Sequence, residues 1–239
     1  MSAALSAGAF LARLEAEASE AQRVAYRRFF PGDESFIGVR MGTVFGIATE
    51  HLAMPLPEIE ALLESRVHEA RAGACSVMGK AATHKRVTPW RHEGLYALYL
   101  RRHDRIDDWD LVDLAAHQVL GSWLLDRPRD RLYDLAVSRF WPERRSAVVA
   151  TAAFLKRGQV EDTFAISRLL INDDHPLVHK GAGWMLRYAS DIDRVALRSF
   201  LDELAPVMPR AMLRAAIEKL DPDEREHYRS AAPPDGVSA

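Results

Sequence analysis

Apolar residues recur at spacings of three and four along almost the whole chain, and alternating runs of the strand type are absent. Phe10, Leu11, Leu14, Ala18, Ala21, Val24 and Ala25 predict one amphipathic helix, stopped by Phe30-Pro31-Gly32. A turn over 31–35 leads into Phe36-Ile37-Gly38-Val39-Arg40. Helices are then expected from Thr43 to His51, after Pro55 and Pro57, and from Val67 to Ala82 with Ala70, Ala74, Cys75 and Met78 on one side. Pro89 opens another. Asp107 and Asp108 cap the next, which runs from Trp109 to Gly121. Further helices are expected from Asp130 to Phe140, from Glu143 through Leu155, from Asp162 through Leu170, from His175-Pro176 through Leu186, from Asp191 through Leu204, after Pro209, and after Asp221-Pro222.

This is an all-α pattern of short helices with short connections. A basic residue followed by small ones recurs in Arg71-Ala72-Gly73, Arg145-Ser146-Ala147, Lys180-Gly181-Ala182 and Arg210-Ala211-Met212. Arg71 to Trp109 is 38 residues, Trp109 to Arg145 is 36, and Arg145 to Lys180 is 35. Such a period points to an α-solenoid of HEAT-like hairpins, with Arg71, Trp109, Asp113, Arg145, Lys180 and Trp184 on one concave, basic groove. No linker divides the chain. A single domain is expected over 1–230, followed by a disordered Pro/Gly/Ser-rich tail over 231–239.

Composition narrows the function classes. The formal net charge of −2 gives no general basicity. The single cysteine, Cys75, removes a disulfide framework and a cysteine zinc cluster, and is expected to be buried and inert. No run of 18 apolar residues and no basic leader is present, so no membrane partner is expected and the cytoplasm is the expected location. His175 and His179 stand four apart without the glutamate of a metalloprotease helix. They are expected to cap and to contact phosphate, with no metal and no cofactor.

Four features carry candidate chemistry. Trp109 and Asp113 share one helix face, one turn apart. Arg144 and Arg145 form a tandem at a helix start. Lys180, Trp184 and Arg187 share a face. The stretch from Lys80 to Arg102 holds Lys80, Lys85, Arg86, Arg91, Arg101 and Arg102 against Glu93 alone. Basic groups on a helical face suit phosphate backbones. Taken one at a time, each also reads as a solvated helix face with local ion pairs.

Together, Trp109-Asp110-Leu111-Val112-Asp113, Glu143-Arg144-Arg145-Ser146-Ala147, Lys180-Gly181-Ala182-Gly183-Trp184 and Met208-Pro209-Arg210-Ala211-Met212-Leu213-Arg214 resemble the AlkD-type DNA alkylation-repair glycosylases, as does Asp33-Glu34-Ser35-Phe36-Ile37-Gly38-Val39-Arg40. The resemblance covers about residues 8–229, in order. It implies excision of cationic N3- and N7-alkylpurines from duplex DNA without extrusion of the base, by a monomer that needs no cofactor. Trp109, Asp113 and Trp184 match the family's aromatic–carboxylate–aromatic catalytic set, and Arg145 a DNA-contacting arginine. Arg144, Lys180, Arg187, Lys85, Arg86, Arg210 and Arg214 are the other expected DNA contacts. The chain departs from the pattern where Pro142 separates Trp141 from Glu143, and where Gly181 and Gly183 place two glycines in one helix start. Two further functions fit a helical-repeat chain: a non-catalytic binder of damaged or branched DNA, and a protein–protein scaffold. DNA binding separates the scaffold from the other two, and base release separates enzyme from binder.

Overall fold

The computed structural model describes residues 5–30 and 35–231. Residues 31–34 of the turn expected over 31–35, with Asp33 and Glu34 of the motif, and all of the tail beyond Ala231 lie outside the described residues. Among the described residues every regular element is helical, as the spacing predicts. The chain divides into two compact units between Trp123 and Leu124. Among the described residues no helix is long and apolar enough to cross a membrane.

The first unit contains α1 (Ala7–Ala16), α2 (Glu20–Tyr26), α3 (Met41–Glu50), α4 (Leu56–Leu63), α5 (His68–Ala82), α6 (Pro89–Arg101), a 3₁₀ turn at His103–Arg105 and α7 (Trp109–Ala115), continued by a π-helical stretch at Ala116–Gly121. Its centre is α5, which packs against α1, α3, α4, α6, α7 and the π-helical stretch. Its small side chains (Ala70, Ala72, Gly73, Ala74, Cys75, Ser76) let neighbours approach on all sides. All of its residues but Lys80 are buried, where one buried side was expected. Cys75 is fully buried, and burial pushes its thiol well above the usual range, which leaves it inert as a nucleophile.

The single first helix expected through Ala25 is two helices. Ser19 is extended at the N-cap of α2, and its N–H donates to the Gly38 carbonyl at 3.1 Å. Gly38 has φ +89°, and a Cβ there would overlap the Ser19 carbonyl oxygen. Glycine therefore allows the extended segment 35–40 to lie against the break. Buried Glu69 secures the same segment. Its carboxylate accepts the amides of Ile37 at 3.1 Å, Gly38 at 2.8 Å and Val39 at 3.0 Å. The Tyr26 hydroxyl donates to the Val39 carbonyl at 2.7 Å.

The second unit contains α8 (Asp130–Ala136), α9 (Trp141–Ala150), α10 (Ala152–Leu155), α11 (Glu161–Leu169), α12 (Pro176–Ser190), α13 (Arg194–Leu204), α14 (Arg210–Ala216) and α15 (Pro222–Ala231). Its centre is α12, packed against α9, α10, α11, α13 and α14. Three expectations are corrected here. α8 stops at Ala136 and not Phe140, and in the turn that follows Ser138 Oγ accepts the Phe140 amide at 3.1 Å before α9 begins at Trp141. The helix expected through Leu155 is divided at Thr151, whose hydroxyl donates to the Val148 carbonyl at 2.6 Å. α13 is capped by Asp193, which accepts the Ala196 amide at 2.8 Å, while Asp191 pairs with Lys219.

Candidate functional site

The start of α7 is built from carboxylates, each with a different partner. Asp108 caps the helix, as expected, by accepting the Trp109 amide at 2.7 Å. Asp107 does not cap; it forms an ion pair with Arg71 of α5. Asp110 Oδ2 lies 2.7 Å from Nε2 of fully buried His68. Arg71 Nη2 lies 3.4 Å from the other ring nitrogen, Nδ1. Burial pushes the Asp108 carboxyl above the usual carboxylate range, helped by the neighbouring Asp110 and Asp107 charges and opposed by the cap bond and His68.

Above this network stands Trp109. Its indole stacks on Phe30, with ring centres 5.8 Å apart and planes within 5°. Phe30 also meets Phe36 at 4.8 Å and His68 at 5.2 Å, and Phe36 stacks on His68 at 4.3 Å. The half-buried indole is thus backed by rings that are themselves fixed. Asp113, also half-buried, follows one turn later on the same face of α7. The π-helical stretch begins three residues further on, where a regular helix was expected. Ser122 is engaged there, donating to the Gln118 carbonyl at 2.5 Å. Such stretches often accompany functional sites. Ligand atoms of His68, Asp108 and Asp110 lie within 4.8 Å of one another and could hold a metal ion, but the His68–Asp110 hydrogen bond already joins two of them.

In the second unit, Pro142 falls in the first turn of α9, so Trp141 opens the helix and Arg144 and Arg145 lie within its first turn and a half. Trp141 stacks on His175 at 4.2 Å, with planes within 3°. His175 has the expected capping role, accepting the Leu177 amide at 3.3 Å. Burial lowers its pKa. Arg144 grips Asp173 with two bonds, 2.6 and 2.9 Å, and Asp174 with one of 2.8 Å. Burial raises the Asp173 carboxyl, but the Arg144 bond, the His175 amide and the Arg144 charge together hold it below the usual range. Arg145 is 4% exposed, and its guanidinium donates to the Leu177 carbonyl.

On α12, Lys180 is exposed, Trp184 is half-buried, and half-buried Arg187 pairs with Glu218. The two glycines of this helix are both explained. A Cβ on Gly181 would lie 3.0 Å from Arg145 Nη1, and one on Gly183 would lie 2.5 Å from the Met212 carbonyl oxygen of α14. Arg210 is half-buried and Arg214 exposed on α14. Lys85 and Arg86 are exposed on the loop between α5 and α6, and form no ion pair among the described residues.

Several residues escaped the sequence reading. Glu69 and His68 look like ordinary polar positions of a helix start, and nothing in their spacing marks them as buried; Arg71, expected on the groove face, is 9% exposed and paired with Asp107. Arg225 and Arg229 of α15 line cavities with Lys180, Arg210 and Arg214. Their spacing of four on a terminal helix was the available signal.

A family model described as DNA alkylation repair enzyme matches residues 10–220, which takes in α7, α9, α12 and α14. Among curated proteins none matches the chain. The family match spans most of both units, and it bears out the resemblance read from the motifs. The chain belongs to the DNA alkylation repair enzyme family.

Proposed function

We propose that the protein is a DNA N-glycosylase of base excision repair, built of HEAT-like hairpins, which hydrolyses the N-glycosidic bond of cationic N3- and N7-alkylated purines in duplex DNA without flipping the base. The observation that carries this reading is Trp109 and Asp113 on one face of α7, with the indole backed by Phe30 and the helix start tied to α5. Family membership supports DNA as the substrate.

The chemistry matches these residue types. Alkylation at N3 or N7 makes the purine cationic, so the base leaves without a general acid. As the C1′–N bond breaks, its electron pair returns to the ring and neutralises it, while positive charge develops on the deoxyribose. Water then bonds to C1′ and gives up its proton to Asp113, which passes it to solvent. In this reading Asp113 stabilises the sugar cation and orients the water. A preorganised charge of this kind is worth roughly 3–4 kcal/mol. The Trp109 ring face adds about 0.5–2 kcal/mol of cation–π attraction. Trp184 is assigned the matching role by its motif alone. Lys85, Arg86, Lys180, Arg210 and Arg214 contact DNA phosphates. Arg144 and Arg187 would exchange a carboxylate partner for a phosphate, and Arg145 supports the start of α12 through Leu177.

The test is a release assay on duplex DNA carrying 7-methylguanine. Liberated base and an abasic product are expected. DNA binding without release would leave a non-catalytic binder, and neither binding nor release would leave a scaffold.

A further inference from the structure

Two cavities open against α14, of about 330 and 420 Å³, and share Arg214 and Arg229. The smaller is lined by Arg210, Leu213, Arg214 and Arg229. The larger adds Lys180 of α12 and Arg225 of α15. We propose that they form one phosphate-binding site, closed on one side by the C-terminal helix α15. The inference rests on the reading that the chain grips DNA, but not on its catalytic chemistry.

The charge balance is the first argument. The whole chain is net negative, at −2, yet five cations line these cavities against one carboxylate, Glu218. That carboxylate is already paired with Arg187. Lys180 and Arg214 form no ion pair among the described residues, and Arg229 reaches Glu226 only at 3.6 Å. Confined like charges repel, and an anion among them removes the repulsion.

The second argument is hydrogen bonding. Arg225 Nε is buried and has no acceptor among the described residues. A buried charged donor without a partner is costly, and an oxyanion in the adjoining cavity would supply the acceptor. The third is residue type: planar guanidinium groups suit a tetrahedral oxyanion through paired N–H bonds. The ligand class is therefore a phosphate group, as a backbone phosphodiester or a free phosphate ion.

The test uses the full chain and the Arg225→Gln/Arg229→Gln double variant, with Arg225→Lys/Arg229→Lys as the charge-keeping control. Affinity for undamaged duplex DNA is measured across salt concentrations, and melting temperature with and without inorganic phosphate. The wild type is expected to melt higher in phosphate than in chloride of equal ionic strength, and the glutamine variant to lose that rise. Its log–log salt slope should fall by about one to two units, since each lost phosphate contact removes close to one. The lysine variant should keep the slope, which shows that the helix is intact. A lost phosphate response with an unchanged slope would assign the site to free phosphate. An unchanged response together with an unchanged slope overturns the proposal. Failure of the glycosylase reading shows separately, as no 7-methylguanine release by the wild type.

Discussion

The two units place their charged side chains differently. In the first, Trp109 lies on Phe30, and the charges below it are turned inward: Asp107 to Arg71, Asp110 to His68, Glu69 to three amides. In the second, α12 is seated by a glycine against a backbone carbonyl, and five cations line two cavities beside one carboxylate, Glu218, which is itself paired with Arg187. The ion pair and hydrogen bonds around α7 fix side chains, with Arg71 Nε and Asp110 Oδ1 left without a hydrogen-bond partner among the described residues, and a fixed surface suits a carboxylate that must be in place before charge develops. A cluster of cations in excess over carboxylates suits an anionic ligand. On the proposed reading, chemistry belongs to the α7 surroundings and phosphate binding to the α12–α14–α15 surroundings.

On the stability scale, the largest expected effect breaks the inward network. Glu69→Ala leaves the amides of Ile37, Gly38 and Val39 without their acceptor, and should cost about 3 kcal/mol in urea unfolding, since a buried donor left unpaired costs about 1–3 kcal/mol and the loop can relax toward water. A loss below 1 kcal/mol would show that the segment holds itself. Gly183→Ala sharpens the other side of the comparison. The added methyl meets Met212 backbone and the Ala215 side chain, so about 2 kcal/mol is expected, with a shift of α12 against α14. A neutral result would mean that the close approach is not needed.

How much of this was legible follows from the kinds of residue involved. Periodicity marks a helix when apolar and polar residues separate onto faces, and that made α4, α12 and α13 readable. Capping residues gave the starts at Asp108 and His175. α5 was misread as one-sided because its small residues carry little periodicity and its His68, Glu69 and Arg71 are buried through partners distant in sequence. The break before α2 depends on Gly38, 19 residues after Ser19, and local pattern does not carry that distance. Trp109 and Asp113 were visible as a pair, whereas their support by Phe30 and His68 arises from the tertiary fold. Arg225 and Arg229 were passed over because a terminal arginine pair resembles any solvated helix face.

The smallest expected effect is in acid, where Asp173 and Asp108 should respond with opposite sign. Asp173 has a lowered folded-state pKa, so its stabilisation is present above the unfolded value near 3.9 and is lost as pH falls through the folded value. Asp108 has a raised one. Its contribution is most favourable below the unfolded value and declines as pH rises through the folded value. Melting curves between about pH 3 and pH 7 should therefore show Asp173→Asn losing part of the acid sensitivity, and Asp108→Asn, whose side chain still caps, gaining relative stability toward neutral pH. The same sign in both variants would contradict the contrast.

The most direct test of the central claim is single-turnover release of 7-methylguanine by Asp113→Asn, with melting temperature and DNA affinity taken on the same preparation. Removing the charge while keeping the shape should slow release by about 10²–10³-fold, with affinity nearly unchanged and the fold intact. Normal release from a folded Asp113→Asn protein would contradict the catalytic assignment.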